Sequence, residues 1–216
     1  MTPLLARPVR ALAFSCLLLA PAEQALARCN STADCVSEIQ AAYRDVATFR
    51  ASVTQTKHVS LLDEPLVSTG HLAFKKPDRL LLEMDAPRPL KVIVNGTRIW
   101  IPGLDKEAEA ALAAAPTVML SRLQAIFTGD LAALEQSFDV RAEEDDRGIA
   151  VALQARDARM FNTVQTMELR FERPDLLLHE IRIRNALGDA LDIVLGDIQK
   201  NPVLSESMFT IDDSRS

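Results

Sequence analysis

Side chains capable of acid–base, nucleophilic or metal chemistry are few in this 216-residue chain, and they are poorly grouped. The three histidines, His58, His71 and His179, belong to no ligand spacing such as HExxH. His58 and His71 fall on segments that read as neighbouring strands, and strand-face histidine is the simpler reading of both. No GxSxG elbow, CxxC pair or glycine-rich phosphate loop occurs, so a nucleophile with its base and orienting group cannot be assembled. The expectation is a protein that is not an enzyme, with no metal and no cofactor. The acidic run Glu143-Glu144-Asp145-Asp146 before Arg147-Gly148 reads as a solvated hairpin loop. Lys75-Lys76 reads as a solvated pair trimming a strand end, with lipid head-group contact as the alternative.

The cysteines divide by position. Residues 1–27 have the layout of a secretory signal: Arg7 and Arg10, then an apolar stretch from Ala11 to Ala20, then Ala25-Leu26-Ala27 as a small-x-small cleavage site. Cleavage would start the mature chain at Arg28 and remove Cys16. Neither Cys16, after Ala13-Phe14-Ser15, nor Cys29, after Leu26-Ala27-Arg28, suits lipid attachment. No later stretch approaches the roughly 18 to 20 apolar residues of a membrane span. The mature protein is expected to be soluble in an oxidising compartment, with Cys29 and Cys35 left as an even pair and expected to bridge.

With 24 Lys+Arg against 30 Asp+Glu, the formal charge is -6, which opposes a broad basic face for nucleic acid. Aromatics are 5% of the chain, with one Trp and one Tyr, so base-stacking platforms are also unsupported. The apolar content is nearly all aliphatic.

Positioning falls to two periodicities. Val36, Ile39, Tyr43 and Val46 recur at helical spacing after a cap at Ser31 or Asp34. From Phe49 the period becomes two: Phe49, Ala51, Val53; Leu66 to Phe74; Leu80, Leu82, Met84; Leu90, Val92, Val94. Asn95-Gly96 is a type I′ hairpin signal leading into Ile99-Trp100-Ile101. The run 106–115 reads equally as helix or strand. Met119, Leu120, Leu123, Ile126 and Phe127 then form a helical stripe that Gly129 stops, and Asp130 is placed to cap a second short helix with Leu131 and Leu134. Alternation resumes at Phe138–Arg141, Ile149–Leu153, Met167–Phe171, Ile181–Ile183 and Leu191–Leu195. No linker or repeat divides residues 28–216, which are expected to form one α+β domain. Its expected architecture is a strongly curved antiparallel sheet with a helix before it and a helical pair on the concave side.

The segment from Phe49 to Pro102 resembles the periplasmic outer-membrane lipoprotein carrier family of the LolA type. The resemblance rests on Phe49 six residues before Gln55, Gly70 ahead of Leu72-Ala73-Phe74, Lys76-Pro77-Asp78, Pro87 after an acidic strand, and Asn95-Gly96 leading into Trp100-Ile101-Pro102. Weaker agreement continues to Phe209. It implies an incomplete, half-open β-barrel around an apolar cavity with a helical lid, and a soluble periplasmic role carrying acylated lipoproteins or other lipids. An inner-membrane donor and an outer-membrane acceptor would be the partners, and a monomer is expected. The cavity residues would be Phe74, Leu82, Met84, Val92, Val94, Trp100, Met119, Leu123, Phe127, Met167, Leu169 and Phe171. Lys76 stands where the family carries an Arg that latches the lid, and Lys lacks that planar five-donor fork. The tail ends without the family's Pro/Gly-containing extension, which suggests a divergent paralogue with different cargo. A lipid-sensing or protein-binding module on the same fold is the alternative.

Overall fold

The computed structural model describes residues 29–103, 117–160 and 162–211. The expected signal segment 1–27, the run 106–115 and the tail from 212 lie outside them. Helix α1, Thr32–Tyr43, starts where a cap is available: Ser31 Oγ accepts from the Asp34 N–H at 3.2 Å, and Asp34 adds a carboxylate to the first turn. Its buried residues, Cys35, Val36, Ile39 and Tyr43, are the predicted stripe. Cys29 and Cys35 are joined by a disulfide that staples the entering chain to the first turn.

Ten strands follow among the described residues: β1 Thr48–His58, β2 Leu66–Lys75, β3 Arg79–Ala86, β4 Leu90–Asn95, β5 Arg98–Trp100, β6 Phe138–Asp145, β7 Gly148–Ala155, β8 Thr166–Glu172, β9 Leu177–Arg184 and β10 Ala190–Lys200. They make one antiparallel sheet in the order β5-β4-β3-β2-β1-β10-β9-β8-β7-β6, with β5 and β6 as edges, so the barrel is not closed. One apolar cluster contains Met84 of β3, Val53 of β1, Leu195 of β10 and Ala142 of β6. Strands far apart in the order therefore share one interior, which requires the sheet to curl around it. Gly70 permits the tight turn of that curl: a β-carbon there would stand 2.0 Å from the Glu83 carbonyl oxygen, beside the register shift between β2 and β3.

Helix α2, Thr117–Thr128, lies in the insertion between β5 and β6, and its Ala125, Ile126 and Phe127 enter the same cluster as α1. Gly129 ends it at φ +74°, and a side chain there would strike the Tyr43 ring. The short 3₁₀ segment Leu131–Gln136 buries Leu131 and Leu134, but Asp130 makes no side-chain capping bond to it. The β4–β5 hairpin also departs from expectation. Asn95 pairs with Arg98, so the loop is Gly96-Thr97, and Gly96 alone has positive φ. Type I′ needs positive φ at both loop positions, so Asn95 closes the ladder instead, and glycine leads the turn as in type II′.

Candidate functional site

Antiparallel connection places the loops 59–65, 87–89, 156–165 and 185–189 at one end of the sheet, here called the mouth, and the β2–β3, β6–β7 and β8–β9 turns at the other. The mouth and the closed end are built differently. At the closed end α1 forms a floor. Tyr43 packs edge-on against Phe171, with centroids 6.1 Å apart, and its hydroxyl accepts from the Leu178 N–H at 2.9 Å. Burial pushes that phenol's pKa above its ordinary value. Phe127 of α2 stacks on Phe74 at 5.6 Å and meets Phe49 at 6.3 Å. Leu169, Phe171, Phe74 and Phe127 are all buried here, and as they stand they are packed interior rather than open lining.

Toward the mouth the same inner face loses its cover. Register puts Leu82 opposite Val92, Met84 opposite Leu90, Met167 opposite Ile183, Ile183 opposite Leu191 and Ile181 opposite Ile193. Of these, Leu82, Val92, Met167, Ile183, Leu191 and Ile193 are half-buried and Leu90 is exposed, as is Leu66 on β2. Met84 and Val94 are buried. A depression of about 330 Å³ opens beside this face, where Met84, Pro89, Leu90 and Pro102 meet the charged Glu83, Asp85 and Lys91. The result is a largely aliphatic cup, filled at its base and wet at its rim, with Gln55, Lys57 and Ser68 of the two central strands on the same face. Helical positions Met119 and Leu123 lie on α2, while their side chains lie outside what the structure describes.

Trp100 does not line the cup. It pairs with Ile93, whose parity is opposite to that of Val92 and Val94, so it faces the convex side. There it packs with Ala73, Leu81, Ile93, Leu204 and Phe209 in a second cluster formed by the C-terminal segment crossing the back of β2–β4. Glu206 of that segment pairs with both Lys75 and Arg79, and Asn95 Nδ2 donates to the Phe209 carbonyl at 3.2 Å. Lys75 is therefore an anchor for the returning tail.

Among the described residues, Lys76 ties to α1 and not to α2. Its Nζ donates to the Tyr43 carbonyl oxygen at 2.6 Å, one of the orphan acceptors at the C-terminus of α1. Partial burial lowers its pKa, an effect that Asp45 opposes. Lys76→Ala is expected to cost about 1.5 kcal/mol in chemical denaturation, since a charged donor leaves a helix terminus. An unchanged midpoint would argue against the tie. Among the described residues, Arg122 makes a polar contact between α2 and the barrel. Arg122 stacks on Phe138, with its guanidinium carbon 5.4 Å from the ring centroid, and its Nη2 reaches Ser137 Oγ at 2.9 Å and Met160 Sδ at 3.5 Å. Its buried Nε has no hydrogen-bond partner among the described residues. Desolvation lowers its pKa.

Glu144 is not solvated: its side chain is 4% exposed, its Oε1 accepts from Arg173 Nη2 at 2.6 Å, and its Oε2 accepts from the Cys29 N–H at 2.6 Å. Arg173 also donates to Glu38 at 2.8 Å. Cys29, Glu38 and Glu144 approach one another as metal ligands would, yet the sulfur is in a disulfide and both carboxylates already pair with the Arg173 guanidinium. His58, His71 and His179 stand beside Asp192, Asp85 and Glu172 respectively. His71 pairs across from Ser52, six residues along β1 from His58, about 20 Å away. A depression of about 410 Å³ on the outer face of β6–β9 is lined by Asp139, Arg141, Glu168, Arg182 and Arg184 with Ala152, Leu153 and Met167 among others, so charged groups there stand around a largely apolar wall.

The family profile described as outer membrane lipoprotein carrier protein LolA matches residues 44–212. An outer-membrane lipoprotein carrier protein of Hahella chejuensis is 22% identical over 193 residues, covering 89% of this chain and 90% of that protein. One from Pseudomonas putida strain W619 is 22% identical over 151 residues, which cover 67% of this chain and 66% of the relative, just under two thirds. Among solved structures, MucB superposes with a TM-score of 0.52 at 18% identity, over 84% of this chain and 63% of MucB. The Pseudomonas aeruginosa MucA/MucB complex gives 0.50 at 18%, over 84% of this chain and 61% of that one. At such identity the structural likeness concerns the fold. Among the described residues, no helix is long and apolar enough to cross a membrane.

Proposed function

We propose, since this chain belongs to the LolA family of outer membrane lipoprotein carriers, that its cup receives acyl chains of lipoproteins or other lipids and carries them through the periplasm. The family is one of carriers and not of enzymes. On this reading residues 1–27 direct export and are removed, residues 28–216 act as a single monomeric domain, and cargo passes from an inner-membrane donor to an outer-membrane acceptor. The observation that carries it is the gradient along one apolar face: packed around Phe127 and Phe74 at the base, half-exposed at Leu82, Val92, Met167, Ile183 and Leu191 toward the mouth.

Burying a sixteen-carbon chain at roughly 0.8 kcal/mol per methylene gives on the order of 10 kcal/mol before ordering costs. Such binding alone would hold cargo too long for a carrier. The packing of α2 on the base competes: to admit a chain deeply, Phe127 must leave Phe49 and Phe74, and Arg122 must leave Phe138. That closure offsets cargo binding and lets an acceptor win. Met119 and Leu123, on the same helix, would extend the lid over the upper cup.

Adjacent residues of β9 test the assignment, because Ile183 faces the cup and Arg182 the outer surface. Ile183→Glu is expected to weaken displacement of a fluorescent fatty acid at least tenfold, whereas Arg182→Glu leaves it unchanged. Equal affinity in both variants, with folds matched by circular dichroism, would sink the cup as the binding site. Mass spectrometry of lipids extracted from the native protein would identify the cargo.

A second reading is a regulatory module in which lipid occupancy alters contact with a protein. The likeness to MucB, solved in complex with MucA, favours it. A stable protein complex that dissolves on lipid addition, without transfer of lipid to an acceptor, would select it.

A further inference from the structure

Three leucines stand in water at the mouth, on two loops that are tied together. Leu61 is 91% exposed, Leu187 63% and Leu62 51%. Leu61 and Leu62 lie between β1 and β2, and Leu187 lies between β9 and β10; β1 and β10 are neighbours, with His58 opposite Ala190. The Ser60 N–H donates to Asp189 Oδ1 at 2.8 Å, which joins the loops directly.

These loops are built rather than slack. The Leu62 N–H donates to the Val59 carbonyl at 2.9 Å. Asn185 Oδ1 accepts from the N–H groups of Leu187 at 3.0 Å and Asp189 at 2.9 Å, and Asn185 Nδ2 donates to the Asn162 carbonyl at 3.2 Å. Their polar backbone is thus partly satisfied within the protein, and what projects outward is aliphatic. A surface that offers apolar tips and has these backbone groups already paired suits a medium without hydrogen-bonding partners.

We propose that this leucine rim is a docking surface for a zwitterionic lipid bilayer, which it enters shallowly to bring the mouth of the cup against the lipid. The proposal rests on the reading of the cup as a lipid carrier. Protruding tips fit between head groups, whereas a protein groove would be expected to meet a flatter or longer apolar strip. On the mouth loops Asp63, Glu64, Asp157 and Asp189 stand against Arg88, Arg156 and Arg159, so the rim carries little net charge, and that favours a neutral surface over an anionic one. Leu66 and Leu90, exposed on the inner face just behind the rim, continue the apolar path into the cup.

Vesicle co-sedimentation of the purified protein tests this with phosphatidylcholine vesicles, and with vesicles containing added phosphatidylglycerol. Wild type is expected to partition onto the first and more weakly onto the second. Each leucine is worth about tenfold, so the triple variant Leu61→Ser, Leu62→Ser, Leu187→Ser should lose at least about a hundredfold. Val203→Ser, at an exposed site near the closed end, should lose nothing. No partition of wild type, a triple variant within twofold of it, or an equal loss in Val203→Ser would overturn the proposal. Uptake of a monomeric fatty acid from water, measured on the same proteins, separates the two claims. It should persist in the triple variant, and its absence from wild type would count against the cup and not the rim.

Discussion

Glu144→Ala is expected to destabilise the fold by about 3 kcal/mol, while Glu143→Ala, one residue earlier in the same acidic run, changes stability by less than about 0.5 kcal/mol. The difference is burial. Glu144 loses nearly all contact with water, and its two oxygens take a guanidinium and a backbone N–H. Its removal strands the Arg173 cation, itself 18% exposed, with Glu38 as its remaining carboxylate partner among the described residues, and leaves the Cys29 N–H without its acceptor. Breaking a buried pair from one side typically costs about 3–5 kcal/mol, and Glu38 places this case at the lower end. Glu144→Gln keeps an acceptor for Cys29 but not the charge, and should fall between. Urea denaturation of the three variants measures the order, and similar midpoints for Glu143→Ala and Glu144→Ala would refute it.

Phe127→Ala should be at least as costly, about 3–5 kcal/mol, because the ring is buried between Phe49 and Phe74 and its neighbours are held by the sheet and cannot collapse into the space. The same space is the base of the cup. If it accepts two or three methylenes of a bound chain, cargo retention should lengthen about 15- to 50-fold even as the protein becomes less stable. Opposite signs for stability and retention are the diagnostic. A variant that loses stability and cargo together would show that Phe127 supports the fold without competing for the cargo site. Calorimetry for the first quantity and dissociation of a fluorescent fatty acid for the second decide it.

The alternation that located the strands was readable because one face of each is apolar and the other polar, as in Ile181-Arg182-Ile183-Arg184. Where that contrast vanishes, so does the information. Ile99-Trp100-Ile101 is apolar throughout, and nothing in it says which face Trp100 takes; the answer depends on pairing with Ile93 and on a tail returning from more than 100 residues away. Glu144 did carry a signal. It shares the parity of Phe138, Val140 and Ala142, and counting by twos from Phe138 would have turned it inward. Arg122 likewise sits four residues before Ile126 on the predicted stripe, where an Arg can lay its stem on apolar surface. Lys76 offered no such clue, since its acceptor is a backbone carbonyl 33 residues upstream. The expectation of the disulfide, by contrast, followed from export and from the expected loss of Cys16, which leaves an even pair.

The staple at Cys29 also fixes the polarity of attachment. The chain enters beside Glu144 and Arg173, at the turns opposite the loops that bear Leu61 and Leu187. Anything joined upstream of Cys29, whether a fusion partner or the linkage to a sensor chip, departs from the floor of the vessel. A molecule tethered that way presents its opening to the bulk phase, free to meet vesicles. A tether placed in the 59–65 loop would turn the opening toward the support and silence it.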